Sequence, residues 1–328
     1  MIKFFRKNQP YYEFSNFYES HVIIDGISYK TIEAYFQSSK YSFSTASNEE
    51  KKRGEYIRNL PPFDAFKEGR KRIIGINIDP KWDDRKNNVM RKGVFRKFMT
   101  NEKLKQLLLS TKEKTLIEDS PYDSYWGIKK TENGIEGKNM LGKILEEVRY
   151  LLSDEPIVYP LLSDKSHWII PTFLLSSAFP QSYKEIENFD IIVAVQTDDE
   201  LKNFKSYTET ELKFDSSKIF DVIKAEKTYA RISIQDKGTI SDIYLIKIIK
   251  RLSNQIAKHK RILVHCYGGK GRTGLIVTLL LGMIYGMTSK EALNIISKLF
   301  NLYRKDKGTK KCTMPQTKVQ FDSVKSIL

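Results

Sequence analysis

Val264-His265-Cys266-Tyr267-Gly268-Gly269-Lys270-Gly271-Arg272-Thr273-Gly274 separates a cysteine from an arginine by five residues, three of them glycines. An apolar run, Ile262 to Val264, leads in, and a longer one, Leu275 to Met283, leads out. A strand, a glycine-rich loop and a helix start make an anion cradle, because backbone N–H groups converge there and the helix dipole favours negative charge. Cys266 at its entrance faces those donors and Arg272, which favour the thiolate and so supply a nucleophile. Arg272 adds a planar fork able to hold two phosphate oxygens at once.

This segment resembles the signature loop of the cysteine-dependent phosphatases, in the dual-specificity branch of the protein tyrosine phosphatase superfamily. The resemblance implies that Tyr267, Gly268, Gly269, Lys270 and Gly271 wrap the phosphate, and that Thr273 donates its hydroxyl to the sulfur. His265 orients the loop without transferring protons. The family's proton donor is an Asp on a loop upstream of the cysteine. Asp236 in Ile234-Gln235-Asp236-Lys237-Gly238 matches that position, with Asp242 as the alternative. Gln316 and Gln320 resemble the glutamines that position hydrolytic water.

Working outward, Asp190 to Val195 is a continuous apolar run suited to a buried strand, and Tyr229 to Ile234 alternates like a second one. Gln181 to Phe189 has a helical pattern. Ser241 precedes a helix with the stripe Leu245, Ile249, Leu252 and Ile256, and Thr288-Ser289-Lys290-Glu291 is a capping box. Strands alternating with helices predict an α/β sandwich with its ligand site at the C-terminal strand ends. This half is expected to run over residues 167–328. Residues 153–166, polar and broken by Pro156 and Pro160, read as a linker.

Residues 1–152 carry a different set of patterns. Val22 to Tyr29 is two β-like runs about Asp25-Gly26, a hairpin signal. Thr31 to Lys40 reads as a helix with Glu33, Phe36, Gln37 and Lys40 on one face, and a long helix is expected over Asp83 to Met99. Among these lie Phe14-Ser15-Asn16-Phe17, Glu33-Ala34-Tyr35-Phe36-Gln37, Gly69-Arg70, Trp82, Tyr125-Trp126-Gly127 and Gly137-Lys138-Asn139. Each is weak alone; in this order and spacing they resemble the NADAR family, the YbiA-like N-glycosidases. The resemblance implies a helix-rich α+β domain that cleaves a ribose-to-nitrogen bond in ADP-ribose-type conjugates, in ADP-ribosylated guanine of nucleic acid, or in riboflavin-pathway intermediates. It assigns Glu33 as the carboxylate that stabilises an oxocarbenium-like state, with Asp123 as the second carboxylate. Trp82 and Trp126, beside Gly127, offer flat faces for a base, and Arg70 and Lys40 suit a diphosphate. Asn16, Gln37 and Asn139 can read hydroxyls or a base edge.

Composition sets the limits. The 328 residues allow two domains, and 40% hydrophobic with 12% aromatic content belongs to a globular chain. The net charge of +16 suits phosphate-rich ligands: sugar or nucleotide phosphates, phosphorylated proteins or nucleic acid. Two cysteines and no secretory signal predict a reducing, cytoplasmic setting, and no run is long enough to span a bilayer. The four histidines do not cluster with cysteines at ligand spacing, so neither a metal nor another cofactor is expected. The expectation is a bifunctional hydrolase; the contrasting one is a non-catalytic basic reader of ADP-ribosylated or phosphorylated partners.

Overall fold

The computed structural model describes residues 1–132, 134–202, 222–224, 227–306 and 311–328. They fall into two compact units, Met1–Ser153 and Asp154–Leu328. The first unit orders β1 (Ile2–Phe4), β2 (Val22–Ile24), β3 (Ile27–Tyr29), α1 (Ile32–Ser38), α2 (Asn48–Arg58), α3 (Pro62–Glu68), α4 (Trp82–Thr100), α5 (Glu102–Ser110), β4 (Leu116–Glu118), β5 (Lys129–Thr131), β6 (Gly134–Glu136) and α6 (Met140–Leu152). Its strands are short and pair two by two, so helices carry the core.

Local chemistry starts the elements where the pattern expects them. Asp25 and Gly26 both take positive φ and turn β2 into β3. The Thr31 hydroxyl accepts the Ala34 N–H at 3.1 Å and opens α1, and Ser47 with Glu50 forms a full capping box on α2. Pro62 begins α3, where its missing N–H costs nothing. The strand β1 pairs in parallel with β4, which brings Phe4 opposite Glu118. Phe14 packs edge-on against Phe98 of α4.

The α4–α6 contact also buries a charge pair. Arg91 and Glu147 are almost fully enclosed, and the guanidinium meets the carboxylate in two bonds, Nε to Oε2 at 2.8 Å and Nη2 to Oε1 at 3.0 Å. Neither charge could be left there alone.

The second unit orders β7 (Ser166–Ile170), β8 (Leu174–Ser177), β9 (Ile191–Ala194), α7 (Asp198–Lys202), β10 (Val222–Lys224), β11 (Lys227–Arg231), α8 (Asp242–Ala257), β12 (Ile262–His265), α9 (Gly271–Tyr285), α10 (Ser289–Tyr303) and α11 (Lys318–Ile327). A mixed sheet runs β10-β11-β9-β12-β8-β7, parallel through its four central strands and antiparallel at both edges. The buried strands β9 and β12 are the two continuous apolar runs of the sequence. Helix α9 follows the glycine-rich loop and is apolar on nearly every side, because α8, α10, α11 and the sheet all pack against it.

One expectation fails. Gln181 to Phe189 holds only a 3-10 turn, Tyr183–Glu185. The Gln181 N–H is taken by the Glu185 carboxylate and its side chain by the Phe179 carbonyl, local bonds that compete with a helix. Residues 154–165 hold no regular helix or strand but pack on the second unit: the Ile157 N–H donates to the Tyr303 hydroxyl, and the Trp168 indole N–H to the Pro160 carbonyl. Among the described residues no helix is long and apolar enough to cross a membrane.

Removing one partner of the α4–α6 pair tests its weight. Glu147→Leu removes the carboxylate that meets the buried Arg91 guanidinium in two bonds, and should destabilise the first unit by about 3–5 kcal/mol in chemical denaturation.

Candidate active sites

The first unit contains a cavity of about 390 Å³. Helix α1 supplies its floor with Glu33, Phe36 and Gln37, and Lys40 follows one turn on. Trp82, Lys86 and Met90 enter from α4, Phe63 and Phe66 from α3, and Arg70 from the segment after α3. Glu118 ends β4, and Asp123, Tyr125 and Trp126 come from the turn beyond it. Asn16 and Phe17 complete the wall. Phe36 makes edge contacts with both tryptophans, at 5.0 Å to Trp82 and 5.2 Å to Trp126, so the two indoles are braced by the helix that carries Glu33.

Glu33 is buried, and burial raises its carboxyl from 4.5 to about 7. Its Oε1 accepts the Gln37 amide at 2.7 Å, and the charges of Lys40 and Arg70 pull its titration down while Asp123 pushes it up. Burial lowers Lys40 to about 8, and its Nζ donates to the Gly69 carbonyl at 2.8 Å. Gly69 must be glycine: a Cβ there would sit 2.2 Å from Gln37 Oε1 and 2.7 Å from its Cβ. The Arg70 guanidinium carbon lies over the Phe66 ring, 4.0 Å from its centre, and the side chain reaches Asp123 at 3.5 Å. The Asp123 carboxylate also accepts the Tyr125 and Trp126 N–H groups, each at 2.8 Å, which fixes the turn that presents Trp126.

Two residues expected in this site stand behind it. Asn139 spends its amide on β4, accepting the Glu118 N–H at 3.1 Å and donating to the Leu116 carbonyl at 2.7 Å. Gly127 lets the turn close on the Glu118 carbonyl, where a Cβ would come within 2.5 Å. Neither lines the cavity. Conversely, Glu118 and Lys86 line it without having been singled out. Leu116-Ile117-Glu118 reads as a strand with a polar end, and nothing in it says which way that end points. Lys97 is a further surprise: buried on α4, brought down to about 7 by burial, it donates to the Ser15 carbonyl at 2.8 Å and holds the segment bearing Asn16.

In the second unit, His265 ends β12, Cys266 through Lys270 form the loop, and Gly271 opens α9. Cys266 is buried, and its sulfur accepts the Gly269 N–H at 3.3 Å. Gly269 takes φ +65° with its Cα pressed on β8, where a Cβ would lie 2.4 Å from the Ser177 carbonyl. The carbonyls of Gly268 and Gly269 accept from Arg304, at 3.2 and 3.3 Å, so a buried guanidinium pulls them to the rear of the loop. Asp306 closes that grip with two bonds of 2.7 Å to Arg304.

Arg272 is equally restrained. Its two terminal nitrogens meet the Glu200 carboxylate of α7 at 2.6 and 2.9 Å, Nη1 also donates to the Ile234 carbonyl, and Nη2 lies 3.4 Å from Asp236. Asp236 is well exposed, on a loop tied to α11: the Gln320 amide donates to the Gly238 carbonyl and the Thr317 hydroxyl to that of Lys237. Asp242 instead accepts the Ser326 hydroxyl at 2.6 Å. Gln320 is fully buried and spent on this tether, its carbonyl accepting from the Gln316 and Thr317 N–H groups, and the side chains of Gln316 and Gln320 both lie beside Gly271 of the loop. The Thr273 hydroxyl is buried without a hydrogen-bond partner among the described residues. His265 packs on Phe179, and burial lowers it to about 3, so the ring is neutral. Tyr267 is exposed, and Lys270 leans over the Phe300 ring. Glu200 and Arg304 escaped the sequence because each acts through a contact far along the chain.

Two titrations follow from the first cavity. Glu33 holds its proton more tightly when folded, so its contribution to stability is full below about pH 4.5 and is lost as the pH rises through about 7. Glu33→Gln should therefore flatten the decline in stability of the first unit over that window. Gly69→Ala should displace Gln37 and raise the Glu33 midpoint, read by carboxyl carbon NMR.

The comparisons with known proteins agree with this division. A family model described as the NADAR domain matches residues 3–153, and one described as "Swiss Army Knife protein, DSP-PTPase phosphatase domain" matches residues 164–321. N-glycosidase YbiA of Escherichia coli is 35% identical over 156 residues, covering 47% of this chain and 90% of that protein. N-glycosidase Npun_R5314 of Nostoc punctiforme is 34% identical over 160 residues, covering 46% and 95%. Among solved structures, that of E. coli YbiA has a TM-score of 0.39 at 35% identity over 46% of this chain and 83% of its own. The active form of Tk-PTP has 0.36 at 20% identity over 50% and 95%. Over its first half the chain thus belongs to the NADAR family of N-glycosidases, and it continues into a phosphatase domain of the dual-specificity type, the two together making a bifunctional hydrolase.

Proposed function

We infer that the first site hydrolyses the ribose–nitrogen bond of ADP-ribose-type conjugates, ADP-ribosylated guanine among them, and that the second hydrolyses phosphomonoesters through a phosphocysteine. The observation that carries the first reading is a buried carboxyl, Glu33, on the floor of a cavity with two indole walls. Breaking a C1′–N bond builds positive charge on the sugar, which a carboxylate at van der Waals distance stabilises. With its midpoint near 7, Glu33 is substantially ionised at neutral pH and still basic enough to take a proton from attacking water. Trp82 and Trp126 would stack the base or the adenine. Arg70, half-exposed and held by Asp123 and the Phe66 ring, would turn from these contacts toward a diphosphate. The electropositive balance of the chain suits such a ligand.

In the second site, Cys266 Sγ would attack phosphorus inside the loop while Asp236 gives its proton to the departing ester oxygen. Water would then attack the phosphocysteine, Asp236 taking the proton and Thr273 donating to the sulfur as it leaves. The support is geometric. A sulfur already accepting a loop N–H, an arginine fixed by Glu200 and an aspartate 3.4 Å from that arginine support this reading. Phosphorylated proteins and sugar or nucleotide phosphates are the substrate classes, and the setting is cytoplasmic. Neither mechanism calls for a metal.

Both readings are open to direct test with the full chain. Glu33→Gln should lower base release from ADP-ribosylated guanosine by at least ~100-fold. Cys266→Ser should abolish turnover of a generic aryl phosphate, and the native enzyme should trap a phosphocysteine on rapid acid quench. Base release that survives Glu33→Gln, or aryl phosphate turnover that survives Cys266→Ser, would refute the corresponding half.

A further inference from the structure

The cavity of the first unit holds three carboxyl groups, and they are not equivalent. Glu33 has the Gln37 amide and the charges of Lys40 and Arg70. Asp123 has two backbone N–H groups and Arg70. Glu118 has nothing comparable. Among the described residues no hydrogen bond or ion pair reaches its carboxyl, and Oε2 is shielded from solvent and unpartnered. Its backbone, in contrast, is pinned on both sides: the N–H donates to Asn139 and the carbonyl accepts the Ile128 N–H at 2.8 Å. The side chain is therefore aimed into the cavity by β4 and not drawn there by a partner.

A carboxylate is an acceptor only, and one buried without donors is an uncompensated charge; protonated, the same group becomes a donor. Burial raises Glu118 to about 8, and the nearby Asp123 and Glu33 push in the same direction. The cavity also holds the cations Lys40, Arg70 and Lys86, but Lys40 is bound to the Gly69 carbonyl, Arg70 to Asp123 and Lys86 to Asp83. Two carboxyls in one pocket, one supplied with donors and one deprived of them, divide into a base and an acid.

Resting on the N-glycosidase reading above, we propose that Glu118 is the general acid of this site and protonates the departing base. As the C1′–N bond breaks, its electron pair stays on nitrogen, which takes the proton of the Glu118 carboxyl. Water attacks C1′ and passes a proton to Glu33. Glu118 ends ionised and Glu33 protonated, and exchange with solvent restores both. Asp123 then positions Trp126 and Arg70 and transfers no proton.

The leaving group tests this. Guanosine nitrogen needs a proton to depart, whereas nicotinamide leaves a pyridinium riboside as a neutral molecule. Glu118→Gln, a neutral isostere, should lower kcat on ADP-ribosylated guanosine by ~10²–10⁴-fold and on NAD⁺ by less than ~10-fold. Equal losses on both substrates, or full activity on the guanosine conjugate, would overturn the proposal. If native protein does not turn over NAD⁺, the pH profile on the guanosine conjugate decides. The alkaline fall of the native enzyme must vanish in Glu118→Gln and persist in Lys40→Met; any other pattern overturns it. Glu118→Asp, which keeps the acid but withdraws it, replaces the Gln variant in the two-substrate comparison should the latter not fold. Loss in Glu33→Gln beside full activity in Glu118→Gln refutes the acid alone, while native protein that cleaves neither substrate refutes the glycosidase reading with it.

Discussion

Glu33 is a carboxyl taken out of water, and much of the first unit is arranged around what that costs. Buried charge is tolerated only where fixed donors or opposite charges replace the lost hydration. Gln37 stands one turn along the same helix to donate, Gly69 has no side chain so that Gln37 can stand there, and Lys40 reaches over the Gly69 carbonyl. Compensation is partial, which leaves the group poised near neutrality. The fully compensated pair Arg91–Glu147, between α4 and α6, shows the other outcome: both charges satisfied and the contact structural.

The second unit meets the same constraint with opposite sign. A loop that binds an anion must turn its N–H groups inward and its carbonyls outward, and outward-facing buried carbonyls need donors of their own. Arg304 supplies them behind Gly268 and Gly269, and Asp306 neutralises Arg304 in turn. Arg272, on the inner side, is kept in the plane of its fork by Glu200. Loop backbone and guanidinium are thus both held by fixed partners within the chain.

Much of this architecture is legible in one dimension. The glycine-rich loop between an apolar strand and an apolar helix places Cys266, Arg272 and the cradle, because the strand–loop–helix unit is local and its parts are consecutive. The Asp25-Gly26 hairpin, the Thr288 capping box and the buried strands β9 and β12 are likewise short-range matters of φ, caps and hydrophobic runs. The Gln181 to Phe189 stretch is misread because its helical pattern is outbid by side chains bonding to their own backbone.

What the chain order alone determines is therefore residue chemistry at a local address: which helix carries Glu33, which loop carries Cys266, and that Trp82 and Trp126 are available as flat walls. Which long-range partners those groups meet is settled only in three dimensions. Glu118 of β4 shares a cavity with Glu33 of α1, Asn139 is consumed by that same strand, and Glu200 and Arg304 reach the glycine-rich loop and its arginine from 72 and 35 positions away. The reason is physical: a side chain's titration and its hydrogen bonds depend on what fills the few ångströms around it, and packing, not sequence neighbourhood, fills them.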